Sequence, residues 1–307
     1  MNKADIFTSL SNDTRRKVGE AVADFAMIRP SDTICVSLSG GKDSLLLLAA
    51  LARLRRVAPK PFTLKACTLD PTGGELDLSP LEDFCRSLDV QLRTTRYPIY
   101  SIIRSRREDS PCSFCANMRR GILCSMAQKE GGQALALGHH LDDALETALL
   151  NLFFAGRFAP LSPKIWMSRS QLWAIRPLIY LEERSIESEA KRLNLPVIQS
   201  SCPFAKGNRR TLIKQLVKEL EERSSVSIKG NALGALKAIW KRKGLNHEPE
   251  RFYQAEVPRY ILRLVLKSLA PQQTVGIPFA LLHTRLIEGI YPVERAAQSG
   301  HVFPQKN

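Results

Sequence analysis

Ser39-Gly40-Gly41-Lys42-Asp43-Ser44 follows the apolar run Ile34-Cys35-Val36-Ser37-Leu38 and precedes Leu45-Leu46-Leu47-Leu48-Ala49-Ala50-Leu51-Ala52. The first run reads as a buried strand and the second as a helix. A glycine-rich turn therefore joins the C-terminal end of a strand to the N-terminus of a helix. Two glycines let the backbone pass close to a ligand without a Cβ in the way. The free N–H groups and the positive dipole end of the first helical turn favour an anion there. Ser39 and Ser44 add hydroxyl donors, and Lys42 adds a mobile positive charge. Asp43 is out of place in a bare phosphate site unless a divalent cation or a substrate group is held as well. The order of residues is neither the G-x-x-x-x-G-K-S/T loop of common nucleotide hydrolases nor a G-x-G-x-x-G fingerprint.

Outward from this turn, strands and helices alternate. Residues 12–27 read as a helix with Val18, Ala21, Val22 and Phe25 on one face. Arg15, Arg16 and Lys17 crowd its first turn, where the dipole disfavours them. Either an anion lies nearby or the end is simply solvated. The helix after the loop runs to about Arg56, and Pro59 and Pro61 end it. Further strands are expected over Phe62–Leu69, Val90–Tyr97 and Gln133–Gly138. Further helices are expected over Ser79–Leu88, with Ser79 as cap, and over Asp142–Phe154. The pattern implies an α/β fold, a parallel five-stranded sheet flanked by helices, of which these segments locate four strands. Ligands bind such sheets beyond the strands' C-terminal ends. Leu38, Leu69-Asp70 and Gly138-His139 all lie at such ends and should meet in one crevice.

Composition bounds the partners. The chain has 307 residues, 44% hydrophobic and 24% charged, which suits a sizeable core. No apolar run approaches the ~18 residues needed to span a bilayer. The first residues, Met1-Asn2-Lys3-Ala4-Asp5, lack the apolar core of a signal peptide, so a cytoplasmic protein without a membrane partner is expected. Lysine and arginine number 45 against 30 acidic residues, a formal net charge of +15. That excess suggests a polyanionic partner, nucleic acid first, unless it serves solubility alone.

Seven cysteines in such a chain are expected to be free thiols, metal ligands or catalytic groups rather than disulfides. Cys35 and Cys67 lie in strand patterns, Cys85 and Cys124 in helical ones, and all four read as small buried hydrophobes. Cys112 and Cys115 form a C-x-x-C turn at Pro111-Cys112-Ser113-Phe114-Cys115, and Cys202 sits in Ser201-Cys202-Pro203. A C-x-x-C turn can bind one metal or exchange disulfides. Structural zinc wants four closed ligands, so three cysteines would need a fourth from elsewhere. A four-iron cluster can be held by three thiolates, leaving one iron open.

After the fourth strand comes Gly138-His139-His140-Leu141-Asp142-Asp143, then Glu146-Thr147. Acidic residues opening a helix can be mere dipole partners. Two histidines and two carboxylates at the ligand end of a strand can also position Mg²⁺ or a ribose.

Together these motifs carry a resemblance. Ser39–Ser44 resembles the SGGxDS loop of the PP-loop ATP pyrophosphatases, which bind ATP and adenylate a carbonyl oxygen. Over roughly residues 12–220 the chain is similar to the tRNA 2-thiocytidine synthetase family. The matching segments are Arg15–Ser44, Cys112/Cys115 with Arg119-Arg120-Gly121, Gly138–Thr147, Asn151–Pro163, Ile175-Arg176-Pro177-Leu178 and the approach to Cys202. The resemblance implies ATP with Mg²⁺ and a [4Fe-4S] cluster on Cys112, Cys115 and Cys202. It implies thiolation at C2 of a tRNA cytidine, cytidine-32 of the anticodon loop. Sulfur would come from a cysteine desulfurase, and the protein would be a homodimer. Lys42, Asp43, Asp142 and Asp143 would be catalytic. Leu38, Ser39, Gly40, Gly41, Lys42, Asp43, Ser44, Leu69, Asp70, Gly138 and His139 would surround ATP. Arg119 and Arg120 would meet tRNA. The implied organisation is an N-terminal helical extension over 1–30, an ATP-binding domain with the iron–sulfur site over 31–205, and a helical region over 206–307.

The C-terminal region departs from the family beyond Ser224. Residues 208–223 are amphipathic, with Leu212, Ile213, Leu216, Val217 and Leu220 on one side. Arg209, Arg210 and Lys214 lie largely on the other and are candidate tRNA contacts. Lys237–Lys243 is basic around Trp240, and Val257–Leu269 reads as a helix. This tail has three readings: tRNA binding, subunit pairing or covering of the core. Three other functions compete: thiolation of a tRNA uridine, a nucleic-acid-binding module with a vestigial nucleotide site, and redox sensing by Cys112 and Cys115. Uridine-thiolating relatives carry extra zinc-ribbon cysteines, which this chain lacks.

Overall fold

The computed structural model describes residues 9–198, 202–204 and 209–243. Its first helix, α1 (Asn12–Asp24), starts at Ser11, whose hydroxyl accepts the Thr14 N–H. Strand β1 (Thr33–Ser37) leads through the glycine turn into α2 (Lys42–Val57). Then follow β2 (Thr63–Asp70), α3 (Ser79–Ser87), β3 (Gln91–Arg96), α4 (Ile99–Arg106) and α5 (Pro111–Lys129). The second half comprises β4 (Ala134–Ala136), α6 (Leu141–Ala155), β5 (Lys164–Met167), β6 (Leu172–Ile175), α7 (Glu183–Arg192), α8 (Arg209–Arg223) and α9 (Ile228–Lys243). Val257–Leu269 lies outside the described residues. No described helix is long and apolar enough to cross a membrane.

The sheet order is β3-β2-β1-β4-β6-β5, parallel except for the antiparallel pair β5–β6. It thus has six strands rather than the expected five. The added strand is an edge hairpin of two four-residue strands, with Trp166 and Trp173 paired across it at 5.1 Å between ring centroids. Chain order reverses between β1 and β4, which puts the crevice of a parallel sheet between their C-terminal ends.

Helix α2 is the structural centre. Every residue from Ser44 to Ala52 is buried. A helix apolar on all sides needs cover on all sides; the sheet strands β1 and β2 lie beneath α2, and α1 and α7 lie against it. Ser79 is not a cap. It is the first helical residue, and its N–H and hydroxyl both donate to Asp77 Oδ1, which fixes the turn entering α3.

Helices α1, α8 and α9 belong to the same compact unit as the sheet. Trp240 of α9 is buried against Tyr180 (ring centroids 6.3 Å) and Phe25 (6.1 Å), and its indole N–H donates to the Leu161 carbonyl. Tyr180 donates in turn to Asp24 Oδ2 at 2.8 Å. This helix covers the core. Residues 151–158 group separately: they close α6 with the Arg157 N–H on the Asn151 carbonyl.

Candidate active site

The turn after β1 is built from within. Ser44 Oγ accepts the Ser39 N–H at 3.1 Å, lies 3.1 Å from Ser39 Oγ and donates to the Gly41 carbonyl at 2.9 Å. Gly40 has φ +81°, the left-handed region that suits glycine. A Cβ there would also lie 3.1 Å from the Ile198 side chain, whose backbone N–H donates to the Gly40 carbonyl at 2.9 Å. Gly138, leaving β4, approaches so closely that a Cβ would sit 3.2 Å from the Asp43 carbonyl carbon and the Ser44 nitrogen. The exits of β1 and β4 therefore touch, and the His139–Asp143 segment lies beside the first turn of α2.

Charges around that contact are densely matched. Lys42 Nζ lies 3.2 Å from Glu183 Oε1, 3.4 Å from Asp43 Oδ1 and 3.8 Å from Glu187 Oε1. Burial pushes the Lys42 ammonium pKa down, but Asp43 and Glu183 outweigh it and hold it above its ordinary value. Glu183 is shared: its other oxygen meets Lys214 Nζ at 2.6 Å. Asp142 is buried and committed to structure. Its Oδ2 accepts the Glu183 N–H at 2.7 Å, and Lys229 Nζ sits 2.6 Å from its Oδ1. Burial opposes the Asp142 charge, but His140, Lys229 and that N–H overcome it and drive its pKa far down. Asp143 accepts the His140 N–H at 3.1 Å and faces Arg210 at 3.4 Å. Asp43 Oδ1 is buried and accepts no hydrogen bond. Asp43 and Asp143 are thus better placed than Asp142 to offer an oxygen to a divalent cation.

The two histidines are set apart by their neighbours. Burial and then the Arg176 guanidinium lower His139 to about 4, so it is neutral near pH 7. Arg176 Nε donates to His139 Nδ1 at 3.3 Å, which leaves the proton on Nε2. Burial lowers His140 too, but the carboxylates of Asp142, Asp143 and Asp43 outweigh it and raise its pKa.

Asp70 turns away from this crevice. It is fully buried, and its Oδ1 takes the N–H of Thr72 at 2.8 Å and the Thr72 hydroxyl at 2.5 Å. Burial raises its pKa, and these donors with backbone N–H groups at Leu76 and Gly74 lower it further than burial lifts it. Leu38 is buried beside the loop, its N–H on the Cys67 carbonyl, and Leu69 packs instead with Ile99 and Ile103.

The cysteines divide as their patterns suggest. Cys35, Cys67, Cys85 and Cys124 are buried, and Cys112, Cys115 and Cys202 are not. Cys112 and Cys115 do not form a loop turn. They occupy the first turn of α5, because Pro111 at its start lacks only an N–H the helix leaves unpaired anyway. Cys112 Sγ lies 3.8 Å from the Phe204 carbonyl oxygen, and Cys115 packs beside Phe204. Tyr100 joins the two pieces. Its ring meets Phe204 at 5.9 Å, its hydroxyl accepts from Arg119 at 3.1 Å, and Cys202 lies within hydrogen-bonding reach of it. Cys202 also stands only four residues past Ile198 and so within about 14 Å of chain from the phosphate loop. Among the described residues no three His, Cys, Asp or Glu side chains converge as a set for a single metal ion. Thiols spread around one neighbourhood suit a polynuclear cluster, in which each takes a different iron, better than a mononuclear zinc.

The basic candidates fall into different places. Arg119 faces inward to Tyr100 and Arg120 is exposed. Arg210 pairs with Asp143 and with Glu146 at 3.3 Å, and Lys214 with Glu183, so both belong to the acidic rim of the crevice. Arg209 is exposed. On α8 only Ile213 and Val217 are buried, a narrower stripe than the five apolar residues suggest. Glu183, Lys229, Arg176, Tyr100 and Ile198 are the site residues that motif reading missed. Their one sequence signal is position: Arg176 follows β6, and Glu183 opens the next helix.

Residues 10–220 match the PP-loop domain family. Two similar relatives are tRNA-cytidine(32) 2-sulfurtransferases. That of Geobacter sulfurreducens is 40% identical over 77% of this chain and 93% of its own length. That of Geobacter metallireducens is 41% identical over 78% and 94%. Among solved structures, a U34-tRNA thiolase from Methanococcus maripaludis with its [4Fe-4S] cluster shares the fold, with TM-score 0.61 and 22% identity over 78% of this chain and 80% of that one. With a glycine turn and carboxylate segment meeting at the sheet's reversal point, and with these relatives matched across nearly their whole length, the chain belongs to the PP-loop family and, within it, to the tRNA-cytidine(32) 2-sulfurtransferases.

Proposed function

We propose that this chain is an ATP-dependent sulfurtransferase that replaces the C2 oxygen of a tRNA cytidine, cytidine-32, with sulfur. The observation that carries the reading is the contact of Ile198 with Gly40, which ties the segment leading to Cys202 to the phosphate loop. A loop that binds ATP and thiols that handle sulfur are thereby held on one edge of the sheet.

The loop N–H groups, Ser39 and Ser44 bind phosphate oxygens at the N-terminus of α2. Lys42 exchanges Glu183 for a phosphate and offsets charge as pyrophosphate leaves. Asp43 and Asp143 hold Mg²⁺ against the phosphates. The cytidine O2 attacks the α-phosphorus, the bond to pyrophosphate breaks, and the base becomes O-adenylated. Neutral His139 offers an Nε2–H donor at the crevice wall and cannot add positive charge there. A sulfur nucleophile then adds at C2, and AMP leaves with the former base oxygen. Cys112, Cys115 and Cys202 would hold a [4Fe-4S] cluster, which when bound supplies an iron with an open position for sulfur. A cysteine desulfurase supplies the sulfur as a persulfide, and the working form is a homodimer.

Nucleoside mass spectrometry of tRNA from a deletion strain tests the reading. Loss of 2-thiocytidine, restored by the wild-type chain and not by Lys42→Ala, is the expected result. Unchanged 2-thiocytidine would overturn it, and loss of a 2-thiouridine instead would move the substrate to uridine.

A further inference from the structure

A cleft of about 440 Å³ lies between α1 and the C-terminal half of α2, on a face apart from the crevice. Leu10, Val18 and Leu54 give it apolar walls, and Arg15, Arg16 and Arg53 line it. The nearby carboxylates are already spent. Asp13 lies 2.8 Å from Arg16 and 2.9 Å from Lys17, and Glu20 is shared by Arg16 and Lys237. Arg15 donates only to the Asn12 side-chain oxygen. Arg53 is half-buried and makes no hydrogen bond or ion pair among the described residues. Two guanidinium groups thus face one cleft without a carboxylate, beside the positive dipole end of α1. Holding unmatched cations side by side is unfavourable unless an anion joins them. The planar guanidinium fork matches phosphate, and apolar walls suit a sugar or base edge.

We propose that this cleft takes a backbone phosphate of the RNA substrate, well away from the reacting base. The inference rests on the reading of the chain as a tRNA-modifying enzyme. Arg53 follows Lys42 by eleven positions on one helix, about 16 Å along its axis. The cleft therefore holds a part of the RNA distant from the nucleotide at the loop. Its role is positioning: it fixes where the RNA lies and leaves the adenylation chemistry to the crevice.

The test is tRNA binding by fluorescence anisotropy with the full chain, across a salt series, with Arg15→Glu/Arg53→Glu beside wild type. The double variant should bind about tenfold more weakly at low salt, with a salt slope shallower by about 2, one unit per lost phosphate contact. Its melting temperature and ATP binding should match wild type. Arg86→Glu on α3, where Arg86 pairs with Asp83 at 2.6 Å, changes charge by the same kind of step away from the cleft and should leave affinity within about twofold. If the double variant does not fold, Arg53→Gln carries the same two readouts. Unchanged affinity and slope, or an equal loss in Arg86→Glu, would overturn the proposal. The measurement scores RNA binding without any thiolated product. A chain that binds tRNA through this cleft yet leaves 2-thiocytidine unchanged would refute only the thiolation reading, and one that binds no tRNA would refute the cleft.

Discussion

His139 and Asp142 sit three residues apart and make opposite demands on pH. His139 titrates near 4 in the folded protein, against an ordinary value near 6.5. The unfolded chain therefore binds the extra proton first, and the stability this group allows is complete above about 6.5 and is lost as pH falls towards 4. The loss is on the order of 3 kcal/mol. His139→Gln should flatten that part of the curve, seen as a melting temperature that no longer falls between pH 6.5 and 4. His140 works the other way, since its raised pKa contributes stability at low pH that is lost as pH rises. Asp142 has a depressed pKa and stabilises at neutral pH, so Asp142→Asn should destabilise at pH 7 and much less at pH 2. The thiols give a second test at this scale. Cys112→Ala, Cys115→Ala and Cys202→Ala should each lose bound iron after anaerobic reconstitution, whereas Cys124→Ala keeps it and loses about 1 kcal/mol of packing. Iron assays across the four variants check this. The types of residue at the site were legible because SGGKDS and the paired His and Asp are contiguous. Glu183 and Lys229 were not, because each is a single charged residue brought to Asp142 by a separate helix.

At the scale of elements, α9 shows what a composition of lysine and tryptophan does not say. Lys237–Lys243 reads as basic, yet its one tryptophan is the most buried thing in it: Trp240 is 2% exposed. Trp240→Ala should cost about 3–5 kcal/mol, measured by urea unfolding, because an aromatic cavity opens among Phe25 and Tyr180. A loss under about 1 kcal/mol would mean that α9 is only lightly attached. Strands β1 to β4 were readable from apolar runs between turn signals. The hairpin β5–β6 was not, since four-residue strands with a polar connection carry too few alternations to register. The C-x-x-C segment was read as a loop because of Pro111, although Phe114, Met118 and Ile122 already repeat at helical spacing.

Over the whole molecule the excess of +15 sets the terms of nucleic-acid binding. Affinity for tRNA should fall by roughly a thousandfold between about 50 and 200 mM salt, the loss expected for about six phosphate contacts. A flat salt dependence in anisotropy titrations would mean that the charge is spent within the protein. Much of it is: Lys42, Arg210, Lys214 and Lys229 all face acids of the crevice rim. Counting charges in the sequence could not show this, because pairing depends on how α8 and α9 fold back over the sheet's edge.

Glu183 between Lys42 and Lys214 has a consequence for turnover. When a phosphate draws Lys42 away, Glu183 keeps Lys214, so no carboxylate is stranded in the half-buried wall. When pyrophosphate departs, Lys42 has a counter-ion waiting. The exchange is a partner swap at constant neutrality, which keeps the electrostatic landscape level through each cycle and spares product release the pull of an orphaned lysine.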